Sequence, residues 1–344
     1  MMDFRKFFLG LFSCFMLLSC GDDVLAEVPV DSVPVRRVAY TGAVPECLKA
    51  ETLRVLDIGN SFTQDATALL PGLVQGSGSD VSRMCLYTLV RGGSSWRTWA
   101  NCWKGEDNAS IAYGKIFGGL DQKVEGEGSA QSGQTSQELM QRVLTEVQWD
   151  LIVIHQVSTW SGEFHRWNED NSAGGLDELL DIIRTYQPEA KLAFLLVHSS
   201  NSYCEQHGLT TQQRWEQIVD SAQKMQEQYG VELVIPYGTA VENLRLTEYN
   251  DEYGLCRDNH HLGMGLARYA AAAAYYQALV APRSGIDIEG NAYRYACTPG
   301  DGSSSTKSQP VDVTDKNVET AWKVAKEACK NWGVLMHTSK LYDY

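Results

Sequence analysis

Between Leu53 and about Ala281 the chain alternates short apolar runs with longer stretches whose apolar residues recur every three or four positions. Leu53-Arg54-Val55-Leu56-Asp57-Ile58 reads as a strand, a helical stretch follows around Ala66 to Val74, and Val81 to Val90 is a second strand. Leu139, Met140, Val143, Leu144 and Val147 mark a helix, and Leu151-Ile152-Val153-Ile154 a strand. Leu176, Leu179, Leu180 and Ile183 mark a helix that Pro188 stops. Leu192 to Val197 is a strand, Ile218, Val219, Ala222, Met225 and Tyr229 line a helix, and Val231 to Ile235 is a strand. A last helix runs from about Met264 to Leu279. Strands without in/out alternation are covered on both faces, and a helix between consecutive strands makes them parallel. The pattern predicts a three-layer α/β/α domain, flavodoxin-like, with a parallel sheet of about five strands. Chemistry in such sheets gathers at the C-terminal strand ends.

Two regions depart from the alternation. Residues 100–137, rich in Gly, Ser and Gln, read as a long loop inserted into a domain spanning 49–281. Residues 282–344 read as an extension packed on that domain. In it Val318, Ala321, Trp322, Ala325, Cys329 and Trp332 line one face of a helix capped by Thr314 and stopped at Gly333. At the other end, Arg5 and Lys6 precede an apolar run, Phe7 to Leu18, too short to span a bilayer comfortably but suited to a signal peptide. Leu17-Leu18-Ser19-Cys20 resembles the lipobox of bacterial lipoproteins, and Gly21-Asp22-Asp23 resembles the surface-export signal of Bacteroidetes lipoproteins. The resemblance implies removal of residues 1–19, a lipid on Cys20 and a tether over 20–48. That expectation is an exported lipoprotein of the outer membrane, at the cell surface or on the periplasmic face. The alternative is an ordinary secretory signal cleaved nearby.

The 43 Asp and Glu outnumber the 29 Lys and Arg, for a net charge of −14. That balance argues against a nucleic-acid partner, which needs a basic surface to displace counterions. Besides Cys14 and Cys20 there are seven cysteines, an odd number that leaves at least one thiol free, and no Cys-x-x-Cys pair marks a zinc or redox site.

Two short stretches carry chemistry. Gly59-Asn60-Ser61-Phe62 closes the first strand, and a Ser on such a turn projects its Oγ into the cleft while helix-start N–H groups face an oxyanion. Asp258-Asn259-His260-His261-Leu262-Gly263 precedes the last helix. An Asp three residues ahead of a His turns back to hold Nδ1–H, freeing Nε2 to take a proton. Adjacent His side chains diverge in a loop, so His260 and His261 are not read as metal ligands. No Gly-x-Ser-x-Gly elbow occurs, and the Gly-rich runs near 76–79 and 126–128 lack a phosphate-binding pattern.

Taken together, LRVLDIGNSF over 53–62, DLIVIHQVS over 150–158, IPYGTAVEN over 235–243 and DNHHL over 258–262 resemble the SGNH (GDSL-like) hydrolase superfamily. The local text is closer to a family of uncharacterised SGNH-like domains common in Bacteroidetes. The resemblance covers roughly residues 50–281. It implies Ser61 as nucleophile, His261 as general base and Asp258 as the acid that orients it. It implies an oxyanion hole built from the N–H groups of Ser61 and Gly93, with Gly92 as the alternative glycine. Asn60 replaces the usual Asp of Gly-Asp-Ser, and His155-Gln156-Val157-Ser158 stands where a Gly-x-Asn-Asp run is usual; Gln156 resembles the glutamine that carbohydrate-esterase branches place there, as a further oxyanion donor. Asn60, Trp96 and Trp160 are expected to meet substrate, with the alternative that Trp96, Trp99 and Trp103 are helix-face core. His155 and His198 read as hydrogen-bonded wall residues. The implied activity is a cofactor-free serine esterase removing O-acyl groups, acetyl foremost, from a carbohydrate. The rival is a non-catalytic glycan-binding lipoprotein that keeps the fold.

Overall fold

The computed structural model describes residues 36–125, 128–129, 135–298, 301 and 307–336. The expected signal peptide, Cys20 and most of the tether lie outside these residues. Elements follow in the order β1 (Leu53–Gly59), α1 (Ser61–Thr67), α2 (Leu70–Ser77), β2 (Met84–Val90), α3 (Trp96–Lys104), β3 (Ala112–Gly118), β4 (Gly128–Ser129) and α4 (Ser136–Thr145). Next come β5 (Leu151–Ile154), α5 (Leu176–Tyr186), β6 (Lys191–Leu195), α6 (Asn201–His207), α7 (Thr211–Tyr229), β7 (Leu233–Ile235) and α8 (Tyr237–Arg245). The described chain closes with α9 (Leu266–Tyr275), α10 (Ala281–Ser284) and α11 (Val318–Lys330).

The sheet runs β4-β3-β2-β1-β5-β6-β7. The five strands β2-β1-β5-β6-β7 are parallel, and in order of appearance they lie 2-1-3-4-5, the flavodoxin-like arrangement. β2 and β5 are buried along their whole lengths and β1 nearly so, as the unbroken apolar runs demand. The crevice where the strand order reverses lies between β1 and β5, so the segments just after Gly59 and Ile154 face each other across it.

The stretch 100–137 is not one long loop. β3 pairs antiparallel with β2, and β4 with β3, extending the sheet past its parallel part. Glycines hid this strand. At Gly118, φ is +115° and a Cβ would stand 2.1 Å from the Met84 carbonyl oxygen, so only glycine lets β3 close against β2 there. The expected first helix is two: Pro71 cannot donate a backbone hydrogen bond and sits in the first turn of a new helix, α2.

The C-terminal helix α11 rests on α8 and α9, where Trp322 Nε1 donates to Tyr269 Oη at 3.1 Å and Ala321, Val324, Ala325 and Ala328 are buried. Its N-cap is Asn317, not Thr314, and it ends at Lys330, before Gly333. Thr314 instead accepts from the Lys316 N–H, one turn ahead of the helix. All seven cysteines of the described residues are free thiols.

Candidate active site

Asn60 is the N-cap of α1, with extended backbone, and its Oδ1 accepts the Phe62 N–H at 2.9 Å. This cap starts the helix one residue after the strand and leaves Ser61 at the first helical position, half-buried. The other end of the same amide, Nδ2, donates to the Ser94 carbonyl at 3.1 Å. Gly59 completes the tie, its carbonyl accepting from Arg91 N–H and from Ser94 Oγ, both at 3.1 Å. The turn 91–94 is thus laced to the nucleophile turn. Gly93 has φ +68° and opens onto empty space. Neither the Ser61 nor the Gly93 N–H bonds to another described residue, whereas those of Phe62 and Ser94 are taken. Both are free to receive an oxyanion.

Asn60 is only 2% exposed, with both ends of its amide engaged, so it is a structural clasp and not the substrate contact expected of it.

From the loop before α9, His261 Nε2 stands 2.8 Å from Ser61 Oγ, and Asp258 Oδ2 stands 2.7 Å from His261 Nδ1. Asp258 Oδ1 accepts the backbone N–H groups of His260 and His261, at 3.0 and 2.6 Å. Burial would raise the Asp258 carboxyl, but the His261 ring and these N–H groups outweigh it and hold the carboxyl well below its usual range. Asp258 is therefore a carboxylate, which fixes the proton on His261 Nδ1 and leaves the Nε2 lone pair toward Ser61. The three residues named from sequence are brought together.

Gln156 is not brought to them. Its Oε1 accepts from Val157 N–H at 2.9 Å and Trp96 N–H at 3.3 Å, its Nε2 donates to the Ala173 carbonyl at 2.7 Å, and it is fully buried. An amide bonded this way pins the loop after β5 to the start of α3, and the side chain is fully buried behind the cleft rather than exposed in it. Trp96 is likewise corrected: it is fully buried, edge-on to Trp167 at 5.6 Å. Trp99 is core as well. Trp160 stays half-buried, with the Arg166 guanidinium 3.8 Å from its ring centre.

Behind Ser61 lies a polar chain that sequence reasoning missed. Thr63 Oγ1 is 3.0 Å from Asp57 Oδ1 and 2.9 Å from His155 Nε2, Tyr275 Oη donates to Asp57 Oδ2 at 3.0 Å, and His155 Nδ1 is 3.1 Å from the Gln156 carbonyl. A carbonyl only accepts, so Nδ1 carries the proton and Nε2 of the neutral ring is an acceptor, facing the Thr63 hydroxyl at 2.9 Å and the Asn60 N–H at 3.4 Å. The Thr63 hydroxyl has one proton to share between Asp57 and the His155 lone pair, which face it at 3.0 and 2.9 Å. Burial favours the neutral form of both groups, pushing Asp57 up to about 7 and His155 down to about 4. His198, also fully buried, stacks on Phe62 and bonds Tyr237 Oη and the His260 carbonyl, the wall role expected of it. His260 Nε2 meets Ser158 Oγ at 3.2 Å, so the loop after β5 touches the His loop.

The family model described as "Domain of unknown function (DUF4886)" matches residues 54–308. A crystal structure of a DUF4886 family protein from Bacteroides uniformis is similar, with a TM-score of 0.62 at 22% identity, over 84% of this chain and 99% of that one. A proposed SGNH hydrolase from Slackia heliotrinireducens aligns with a TM-score of 0.41 at 14% identity, over 68% of this chain and 98% of that one. No curated protein matches. The kinship read from GNSF and DNHHL, with a family of SGNH-like domains of unassigned function, agrees with the match that spans those motifs, and the chain belongs to the DUF4886 family.

Proposed function

We propose that the protein is a serine esterase that removes O-acyl groups, acetyl foremost, from a carbohydrate. The observation that carries this is the continuous Asp258–His261–Ser61 hydrogen-bond chain, with spacings of 2.7 and 2.8 Å. His261 Nε2 takes the Ser61 proton as Oγ attacks the acyl carbonyl. The N–H groups of Ser61 and Gly93 receive the oxyanion. His261 then gives the proton to the departing sugar oxygen, leaving an acyl-enzyme. Water, deprotonated by the same imidazole, attacks the acyl carbon, and collapse of the second oxyanion breaks its bond to Ser61 Oγ, which regains the proton as the carboxylic acid leaves. A carbohydrate substrate is favoured by Trp160, half-buried in the loop after β5 whose Ser158 touches His260. Anchoring through a lipid on Cys20 in the outer membrane, facing the surface, completes the proposal.

The second reading, a glycan-binding lipoprotein without activity, is favoured by Gln156, whose amide is spent on Ala173. Hydrolysis of p-nitrophenyl acetate by wild type and Ser61→Ala separates the two. The esterase reading expects turnover lost by about 10³-fold or more in Ser61→Ala, and fluorophosphonate labelling at Ser61. Wild type that neither turns over nor labels, with glycan binding that survives Ser61→Ala, would leave the second reading standing.

A further inference from the structure

Asp65 lies four residues after Ser61 on α1, hence on the same helix face, and it is completely buried. Its Oδ2 accepts the N–H of Leu262, the residue after His261, at 2.8 Å. Its Oδ1 accepts from Arg268 Nε and Nη2 at 3.0 and 2.7 Å and from Arg257 Nη1 at 3.1 Å. Arg257 Nη1 also donates to the Leu262 carbonyl, and the Arg257 N–H donates to the His261 carbonyl at 2.9 Å, which closes the loop on itself. One carboxylate therefore grips both ends of the 257–262 loop and the first turn of α9.

We infer that Asp65 is a positioning residue, holding the His261 loop so that Nε2 meets Ser61 Oγ, because it ties the helix that carries the nucleophile directly to the backbone that carries the base. This rests on the esterase reading and deepens it. Burial alone would push the Asp65 carboxyl up, but the guanidiniums of Arg268 and Arg257 reverse this and keep it charged. His198, His260, His261, Tyr237 and Cys256 are the other titratable groups near it. The link is rigid because Phe62, between Ser61 and Asp65, is itself held by stacking on His198 at 4.2 Å. If the grip loosens, the imidazole shifts while the oxyanion donors, held by Asn60 and Ser94, stay in place.

The test measures Asp65→Asn and Arg257→Gln, each alone and on a His261→Ala background, with circular dichroism as the check on folding. A misplacement of about 1 Å at a general base costs on the order of 10²-fold, so kcat should fall by about that factor in Asp65→Asn and about tenfold in Arg257→Gln, with KM unchanged. On the His261→Ala background both substitutions should be silent, within about threefold, because no base is left to misplace. A folded Asp65→Asn with wild-type kcat, or a loss that persists without His261, overturns the inference. If Asp65→Asn does not fold, Arg257→Gln decides by the same criteria. An independent readout is the ¹⁵N spectrum of the His261 imidazole. Loss of the Nε2 hydrogen-bond signature in the variants supports positioning, and an unchanged spectrum refutes it. Because that readout needs no turnover, an inert wild type would sink the esterase reading while leaving this test intact.

Discussion

Asp57→Asn is expected to stabilise the protein, by an amount that grows as the pH rises from about 4 to about 7. Asp57 sits inside β1, fully buried, between Thr63 and Tyr275. Its folded pKa is raised from the ordinary 3.8 to about 7, chiefly by burial, with the hydrogen bonds from Thr63 and Tyr275 opposing. A raised value means that the native state holds a proton the unfolded chain has lost. The stability this proton confers is complete below about pH 3.8 and drains away as the pH rises to about 7, at about 1.4 kcal/mol per pH unit. The whole span amounts to about 4 kcal/mol. His155 works in the opposite sense. Its folded pKa is depressed from 6.5 to about 4 by burial, so its contribution is lost as the pH falls through that interval. The two slopes cancel over most of the range in the wild-type protein, which is why the difference between variant and wild type is the quantity to measure. Asn keeps the shape of the protonated acid, its amide donating to Thr63 and its oxygen accepting from Tyr275. Guanidinium unfolding followed by tryptophan fluorescence should therefore show variant and wild type matched near pH 4, and the variant ahead by up to about 4 kcal/mol near pH 7.5. A difference that does not change with pH, or a variant weaker than wild type near neutrality, would refute the reasoning that burial keeps a proton on Asp57.

Four further outcomes follow from the site and the core beside it. Asn60→Ala removes both the α1 cap and the link to Ser94, so it should lower stability by about 2 kcal/mol in denaturant unfolding while leaving KM unchanged, since the amide is buried. Asp258→Asn no longer fixes the proton on His261 Nδ1, so kcat for acetate-ester hydrolysis should drop by about 10⁴-fold, and a loss under tenfold would count against the triad. Trp96→Ala should cost about 3–5 kcal/mol as a core truncation. Trp160→Ala, by contrast, should cost only about 1 kcal/mol of packing against Arg166 and should raise KM for acylated oligosaccharides.

What was legible in the sequence was what is local. The five parallel strands could be read because each is a contiguous apolar run, and Ser61, Asp258 and His261 because a turn or a three-residue spacing carries their geometry. The hidden parts depend on chain segments far apart in sequence. Leu262 N–H and Asp65 are 197 residues apart, and Thr63 and His155 are 92 apart, so neither partnership leaves a spacing to read. Asp65 gave one faint signal, an acid one helical turn after the candidate nucleophile. Gln156 misled for a related reason: a side-chain amide at the right place after β5 is informative only once its partner, the Ala173 carbonyl, is known. Strand β3 was lost because its glycines look like loop composition, although Gly118 is there for the close approach of β2.

The choice between a working and a silent cleft turns on what folding itself requires. Losing Gln156 as a donor removes one contact to the oxyanion, worth about 10²–10³ in rate, and leaves the two backbone donors and the triad. The side chains of Asp258 and His261 are 42% and 24% exposed, and a polar contact so open to solvent adds only modestly to stability. Between them Asn259 adopts φ +67°, and its Oδ1 is buried without a partner among the described residues. That conformation costs Asn less than other residues, yet it and the orphaned oxygen both oppose folding. A loop that spends stability in this way, is clamped by a buried carboxylate and two arginines, and ends with an imidazole on Ser61 is not what packing alone would select. A binding protein without hydrolysis would have no use for the 2.8 Å contact. Costly geometry beside the residues the proposed chemistry needs is the physical reason to favour the esterase over the binder.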